Sequence, residues 1–333
     1  MATSFRPSAS LLNVAFLSAA SRRLPRTFTT VAASTPTSRC AKVQPAWVRR
    51  EKRRHMANMA TYEDGKYVDK YRKNRAAVGR ELIGETLEFL ERKLPISQWS
   101  LYVDAGCGHA ESSLRFLERL PTAMRGVCSD KSAAQLDSAK KTFEDAPEFQ
   151  ERVEFQVCAA ESMTALTDAS VDLLTCVSVI HWLDMERFFR ECRRVLKPAG
   201  VLAILSYKFP IFECEHWTAE QTEEFNRIIH VEYLQSSVMK MPHPEIETWA
   251  KAYHFVMSAF DDLELPFADT KVIKDEPRLW NKSRRSLADV WQHLTTFLSI
   301  SLAKKLEPQA FDHMKQRPVS VCTILPLRAS TKR

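Results

Sequence analysis

Val103-Asp104-Ala105-Gly106-Cys107-Gly108-His109-Ala110 is the stretch that decides the fold of this chain. It follows a short apolar run, Leu101 to Val103, and it leads into a helical pattern. Two of only seven glycines in 333 residues fall inside it. Glycine at those positions lets the backbone turn sharply, and it lets a bulky ligand approach the helix N-terminus with no Cβ in the way. Gly106 and Gly108 therefore read as a ligand-binding turn, with Asp104 just ahead of it.

Outward from this turn the chain alternates short apolar runs with amphipathic helices. Gly126 to Cys128, Val153 to Val157, Val171 to Val179 and Val201 to Tyr207 read as further strands, apolar enough to be covered on both faces as parallel strands are. Asp184 is placed to cap a helix whose Met185, Phe188, Phe189, Cys192, Val195 and Leu196 form one stripe, ended by Lys197-Pro198. Upstream, Ile83, Leu87, Leu90 and Leu94 predict a flanking helix closed by Pro95. Strand and helix in alternation with short links predict an α/β domain with a doubly wound sheet. Residues 208–268 break the rhythm with a mainly helical, aromatic-rich insertion on the substrate side. Thr270 to Lys274 and Val319 to Leu327 are expected as two late strands flanking a helix from about Ser286 to Leu302.

Two acids extend the site. Asp130 ends the second strand, 24 residues past Gly106, where a carboxylate can accept both hydroxyls of a ribose. Glu161 follows the third strand in Ala159-Ala160-Glu161-Ser162 and could face an adenine amino group. Each has a plainer use: Asp104 and Asp130 could cap the following turn or helix, and Glu161 could be a solvated loop acid. A nicotinamide-binding domain would show the same kind of turn, but it leaves Ala160-Glu161 and His181-Trp182 without a role.

With these residues in order, the sequence resembles the class I S-adenosylmethionine-dependent methyltransferases, and within them the trans-aconitate methyltransferase-like (type 11) branch. The resemblance covers roughly residues 61–328. It rests on Asp104-Ala105-Gly106-Cys107-Gly108, Asp130, Ala160-Glu161, Val179-Ile180-His181-Trp182 and Arg194-Val195-Leu196-Lys197-Pro198-Ala199-Gly200. It implies a seven-stranded Rossmann-like sheet with the last strand antiparallel, and S-adenosyl-L-methionine as cofactor. It also implies cofactor contacts from Asp104, Ala105, Gly106, Gly108, Asp130, Ala160, Glu161 and Val179, with Tyr71, His181 and Trp182 on the substrate side. Three departures stand out: Ala110 replaces the glycine expected after His109, Ala199 replaces the one expected after Lys-Pro, and Tyr71 to Val78 lacks the proline that relatives carry after a Tyr-Arg pair.

Methyl transfer from a sulfonium is an in-line displacement that needs positioning and exclusion of water, and it needs no metal. By analogy with the branch the acceptor is a small molecule, and a carboxylate acceptor needs no base because it is already deprotonated. His181 is the candidate base for a phenol or alcohol; a packed, hydrogen-bonded histidine is its plainer reading. Cations for an acidic acceptor could come from Arg72, Lys73 and Arg75 or from Arg278, Arg284 and Arg285, or these could be ordinary surface charges. The alternative from another class is a cofactor-binding scaffold or assembly protein in mitochondria that no longer catalyses.

The net charge of +7 does not imply a nucleic-acid partner. Residues 1–54 hold 11 of the 48 basic side chains and one of the 41 acids, so the remainder is mildly acidic. Arg6, Arg22, Arg23, Arg26 and Arg39 stand in an acid-free, Ser/Thr/Ala-rich stretch, which predicts a mitochondrial transit peptide over 1–55 and delivery to the matrix. A secretory signal, or a cytosolic product begun at Met56 or Met59, are the other possibilities. The apolar run Leu11 to Ala20 is too short to span a bilayer. Eight cysteines without a Cys-x-x-Cys pair predict a reducing compartment and no structural zinc.

Overall fold

The computed structural model describes the backbone of residues 4–8 and 12–18, then residues 60–75, 78–207, 211–214 and 217–229, and shorter pieces of 247–304. In chain order the elements are β1 (Ser4–Ser8), β2 (Leu12–Ser18), α1 (Gly65–Asn74), α2 (Arg80–Glu91), β3 (Leu101–Ala105), α3 (Glu111–Leu117), β4 (Arg125–Asp130), α4 (Ala133–Glu144) and β5 (Val153–Val157). After these come β6 (Val171–Val177), α5 (Met185–Val195), β7 (Leu196–Tyr207), β8 (Ile211–Glu213), α6 (Ala219–Arg227), β9 (Asp269–Lys274) and α7 (Leu287–Leu294).

Five strands run parallel in the order β5-β4-β3-β6-β7, so the sheet reverses direction of growth between β3 and β6. That reversal opens a crevice at the carboxyl ends of the two strands, which is where open α/β sheets bind ligands. Consecutive residues of β3 serve opposite faces. Tyr102 packs with Leu82, Ile83, Phe89, Phe116 and Phe143 on one side, while Val103 and Ala105 pack with Met163, Phe188, Phe189 and Cys192 on the other. Helix α5 is laid against this second face by its buried Phe188, Phe189, Cys192 and Val195, and Asp184 caps it by accepting from Arg187 N at 3.1 Å. At the opposite, amino ends of the strands, Asp172 accepts from the amides of Ser100 and Leu101 and pairs with Lys197 at 2.7 Å.

Two further strands extend the sheet beyond β7. Strand β9 is the first of the two late strands read from the sequence; the second, Val319 to Leu327, lies outside the described residues. The slot between β7 and β9 holds β2, antiparallel to both, with Leu12 to Ser18 in register against Tyr207 to Val201. Part of the stretch read as a leader is thus a strand of the sheet. The physical reason is its length: an apolar run too short for a bilayer is long enough for a seven-residue strand. Of the insertion, Phe212 and Phe225 are buried against each other with ring centroids 5.7 Å apart, whereas Phe209, Tyr233, Trp249 and Tyr253 lie outside the described residues.

Candidate functional site

The glycine turn sits at the carboxyl end of β3, on the floor of the crevice. Gly106 has φ +73° and Gly108 φ +56°, both in the left-handed region. A Cβ on Gly106 would lie 2.7 Å from Val179 Cγ1, so this residue is pinned by packing as well as by φ. The amides of Gly106 and Cys107 both donate to Ser129 O, at 2.8 and 2.9 Å, which ties the turn to β4. Ala110, standing where the resemblance expects glycine, also takes a positive φ of 59°. Its departure therefore strains the backbone slightly, in addition to changing how α3 packs.

Asp104 is buried, and its two oxygens accept from Thr175 Oγ1 at 2.8 Å and Ser113 Oγ at 2.5 Å. Burial raises its pKa to about 6 against those two hydrogen bonds. The side chain thus ties β3 to β6 and α3 from beneath the turn. Asp130 accepts from Gly108 N at 3.0 Å and Ser132 N at 2.9 Å, and burial again raises its pKa. Both amides approach along one lone pair of each oxygen, so the carboxylate keeps further accepting capacity. Ala160 is buried in the core beneath the third strand's end. Glu161 accepts from Asp184 N at 2.9 Å, joining that end to the start of α5.

A roof of aromatic side chains faces this floor. Tyr71 on α1 lies edge-on to His109 of the turn, centroids 5.5 Å apart, and Tyr62 bridges Tyr71 at 6.1 Å and Trp182 at 6.4 Å. His181 lies against Trp182, ring centroids 4.7 Å apart and planes tilted by 52°. Tyr67 donates to Thr296 O at 2.7 Å, which ties α1 to the segment after α7. Arg75, the C-cap of α1, lies among the rings of Tyr71, Tyr207 and Phe297 at 4.8, 5.8 and 4.3 Å.

Hydrogen bonding is incomplete around the crevice. Among the described residues, the buried side-chain atoms without a partner include both ring nitrogens of His109, His181 Nδ1, Arg75 Nε, Gln135 Oε1, Ser178 Oγ and Ser206 Oγ. Ser178 and Ser206 stand at the carboxyl ends of β6 and β7, and Gln135 faces Gly108. Buried polar groups are normally satisfied, so a ring of orphans around one crevice marks where a polar ligand completes the set. Burial first, and the Arg75 charge second, lower His181 to about 3 and His109 to about 4. Both imidazoles are therefore neutral at pH 7, and His181 is a weak proton acceptor.

The structure brings Gly106, Gly108, Asp130, Val179, Tyr71, His181 and Trp182 to one crevice. It gives the side chains of Asp104 and Glu161 partners within the protein. Tyr62, Gln135 and Tyr207 are not singled out from the sequence, because they come from three separate segments with no shared motif, and His109, though inside the glycine turn, is given no role there.

Residues 103–204 match the family model described as Methyltransferase domain. The chain is 31% identical over 147 residues to trans-aconitate 2-methyltransferase of Azoarcus sp. (strain BH72), covering 44% of this chain and 51% of that one. It is 29% identical over 106 residues to the tRNA 5-carboxymethoxyuridine methyltransferase of Escherichia coli (strain K12), covering 32% and 39%. It is 30% identical over 103 residues to the mitochondrial ubiquinone biosynthesis O-methyltransferase of Homo sapiens, covering 31% and 27%. The chain thus spans about half or less of these curated relatives. A solved structure described as a type II methyltransferase from Anaeromyxobacter dehalogenans superposes with a TM-score of 0.52 at 20% identity, covering 74% of this chain and 89% of that one. The fold is that of the class I methyltransferases.

Proposed function

We propose that this chain is an S-adenosylmethionine-dependent methyltransferase acting on a small-molecule acceptor. The observation that carries this is the bare, positive-φ turn Gly106-Cys107-Gly108 with the Asp130 carboxylate beside it at the switch between β3 and β6, inside the segment that matches the methyltransferase domain. The residues present fit such a cofactor. The Gly106 to Gly108 backbone gives room for the amino-acid end, Asp130 has accepting capacity for ribose hydroxyls, and Ala160 and Val179 supply apolar surface for a base.

When bound, S-adenosylmethionine supplies an electrophilic methyl group on a sulfonium. The protein's own contribution is to hold the acceptor in line and keep water out, which can be worth about 7–11 kcal/mol. The aromatic roof of Tyr62, Tyr71 and Trp182 suits water exclusion. Neutral His181 can orient an acceptor through its unpartnered Nδ1, and its low basicity favours an acceptor that arrives ionised, such as a carboxylate.

Incubation with methyl-labelled cofactor and matched panels of carboxylic acids and phenols tests this. Label on a carboxylic acid supports the reading, label only on phenols or nitrogen removes the carboxylate part, and cofactor binding without turnover across a metabolite extract favours a scaffold. We also propose mitochondrial delivery, supported by the acid-free, arginine-bearing first fifty residues. Removal of that leader would take β2 out of the sheet. Intact-mass measurement of the protein from fractionated cells distinguishes the two: a product lacking residues 1–55 in mitochondria supports import, and a full-length product elsewhere overturns it.

A further inference from the structure

The methyltransferase reading leaves one strong charge on the acceptor side unexplained. Arg75 caps the end of α1 and is enclosed by the rings of Tyr71, Tyr207 and Phe297, its guanidinium carbon 4.3 to 5.8 Å from their centroids. Its guanidinium donates from Nη1 to Tyr207 Oη at 3.3 Å, and among the described residues its Nε is shielded from solvent with no partner. Among the described residues no carboxylate pairs with it. Arg72 on the same helix also has a shielded Nε without a partner, but unlike Arg75 it reaches a carboxylate, Asp145 at 3.7 Å. Among the described residues, Tyr62, His109, His181 and Tyr207 face Arg75 from other elements; burial raises the Tyr62 hydroxyl and lowers both imidazoles, so none of those three supplies a negative charge at neutral pH.

A guanidinium partly withdrawn from water without a counter-charge carries a desolvation cost, and that cost is offset when an anion completes the pair. The fork of a guanidinium fits a carboxylate with two parallel hydrogen bonds, and flat rings on either side admit a planar group better than a tetrahedral one. We propose that Arg75 is a carboxylate-binding position of this site, the aromatic rings forming the walls of the slot. The inference rests on the methyltransferase reading for the source of that carboxylate. It is carried either by the amino-acid end of the cofactor or by the acceptor. In the second case the bound carboxylate is separate from the atom methylated, because an oxygen lone pair engaged by a guanidinium is a poorer nucleophile.

Calorimetry on the full chain separates the sources. Wild type and Arg75→Met are titrated with S-adenosylhomocysteine and with 5′-methylthioadenosine, which lacks the amino-acid end. If the cofactor's carboxylate is held, Arg75→Met weakens the former by about ten- to a hundredfold and leaves the latter unchanged. If the acceptor's is held, both nucleosides bind the variant as they bind wild type. Maleate, fumarate or glutarate then raises the melting temperature of the homocysteine-loaded wild type but not of the variant.

Equal behaviour of wild type and Arg75→Met in every titration overturns the proposal. Should Arg75→Met fail to fold, Arg75→Lys keeps the charge but loses the fork, and an intermediate weakening is expected; no weakening overturns it. If wild type binds neither nucleoside, the methyltransferase reading falls by itself. The dicarboxylate shift on the cofactor-free protein, wild type against variant, then still decides the role of Arg75.

Discussion

The floor and the roof of the crevice are built on opposite terms. On the floor, Asp104 is satisfied by Thr175 and Ser113, and Asp130 by the amides of Gly108 and Ser132. On the roof, Arg75 and His181 are half-buried, and Arg75 Nε and His181 Nδ1 are shielded from solvent with no partner among the described residues. A floor already satisfied is preorganised, so its geometry barely changes when a ligand arrives, whereas a roof with orphaned polar atoms gains stability only from what binds. The floor should therefore govern whether the cofactor binds at all, and the roof should govern which acceptor is taken.

The sharpest way to break this contrast is at Gly106. Gly106→Val puts a branched side chain at φ +73°, with Val179 already 2.7 Å from the Cβ position. Overpacking costs about 1–3 kcal/mol, and the left-handed backbone adds about 1–2 kcal/mol. Binding of S-adenosylhomocysteine should become undetectable by calorimetry and the melting temperature should fall. The control is Gly84→Ala on α2, where a Cβ meets nothing within 4 Å. There the melting temperature should rise, with a gain of roughly 0.5–1 kcal/mol, and nucleoside binding should not change.

Asp130→Ala should come next in size. It removes an acceptor from two backbone amides and a ligand for the sugar, so affinity for S-adenosylhomocysteine should fall by about ten- to a hundredfold. The loss of stability should be about 1–3 kcal/mol, read by denaturant melts. If affinity holds while stability falls, Asp130 only braces the Ser132 cap of α4 and the glycine turn, and the floor does not grip the ribose.

What could be read from the sequence follows the same division. The floor is local: a strand, two glycines, and an acid at the end of the next strand are all fixed by short-range backbone chemistry, so Gly106, Gly108 and Asp130 stand out in one dimension. Asp104 shows the limit, because the sequence places it beside the turn without showing that Ser113 and Thr175 each donate to one of its oxygens. The roof draws Tyr62, Tyr71 and Arg75 from before β3, Trp182 from after β6, Tyr207 from the end of β7 and Phe297 from beyond α7. Such an assembly leaves no spacing to read. The insertion of β2 beside β7 escapes the sequence for a different reason: the apolar run Leu11 to Ala20 is visible, but its arginine-rich, acid-free surroundings read as a leader.

The smallest effect tests the roof by acidity. His109 and His181 have folded-state pKa values of about 4 and about 3, below the ordinary 6.5, so the unfolded chain binds more protons between those values and 6.5. Their contribution to stability is full above pH 6.5 and is lost as pH falls through that window. Asp104 works the other way. With a folded pKa of about 6 against 3.8, the folded protein holds the extra proton, and stability is lost as pH rises from about 4 to 6. Asp130, also raised by burial, acts in the same sense as Asp104, so stability should rise between pH 5 and 7 by at most about 2 kcal/mol. In the His109→Gln, His181→Gln double variant that rise should vanish or turn into a slight fall, as measured by urea melts at the two pH values. A carboxylate bound at Arg75 would partly neutralise the charge that lowers both histidines. Adding the ligand that fills the roof should therefore shallow the wild-type slope, while leaving the double variant's slope unchanged.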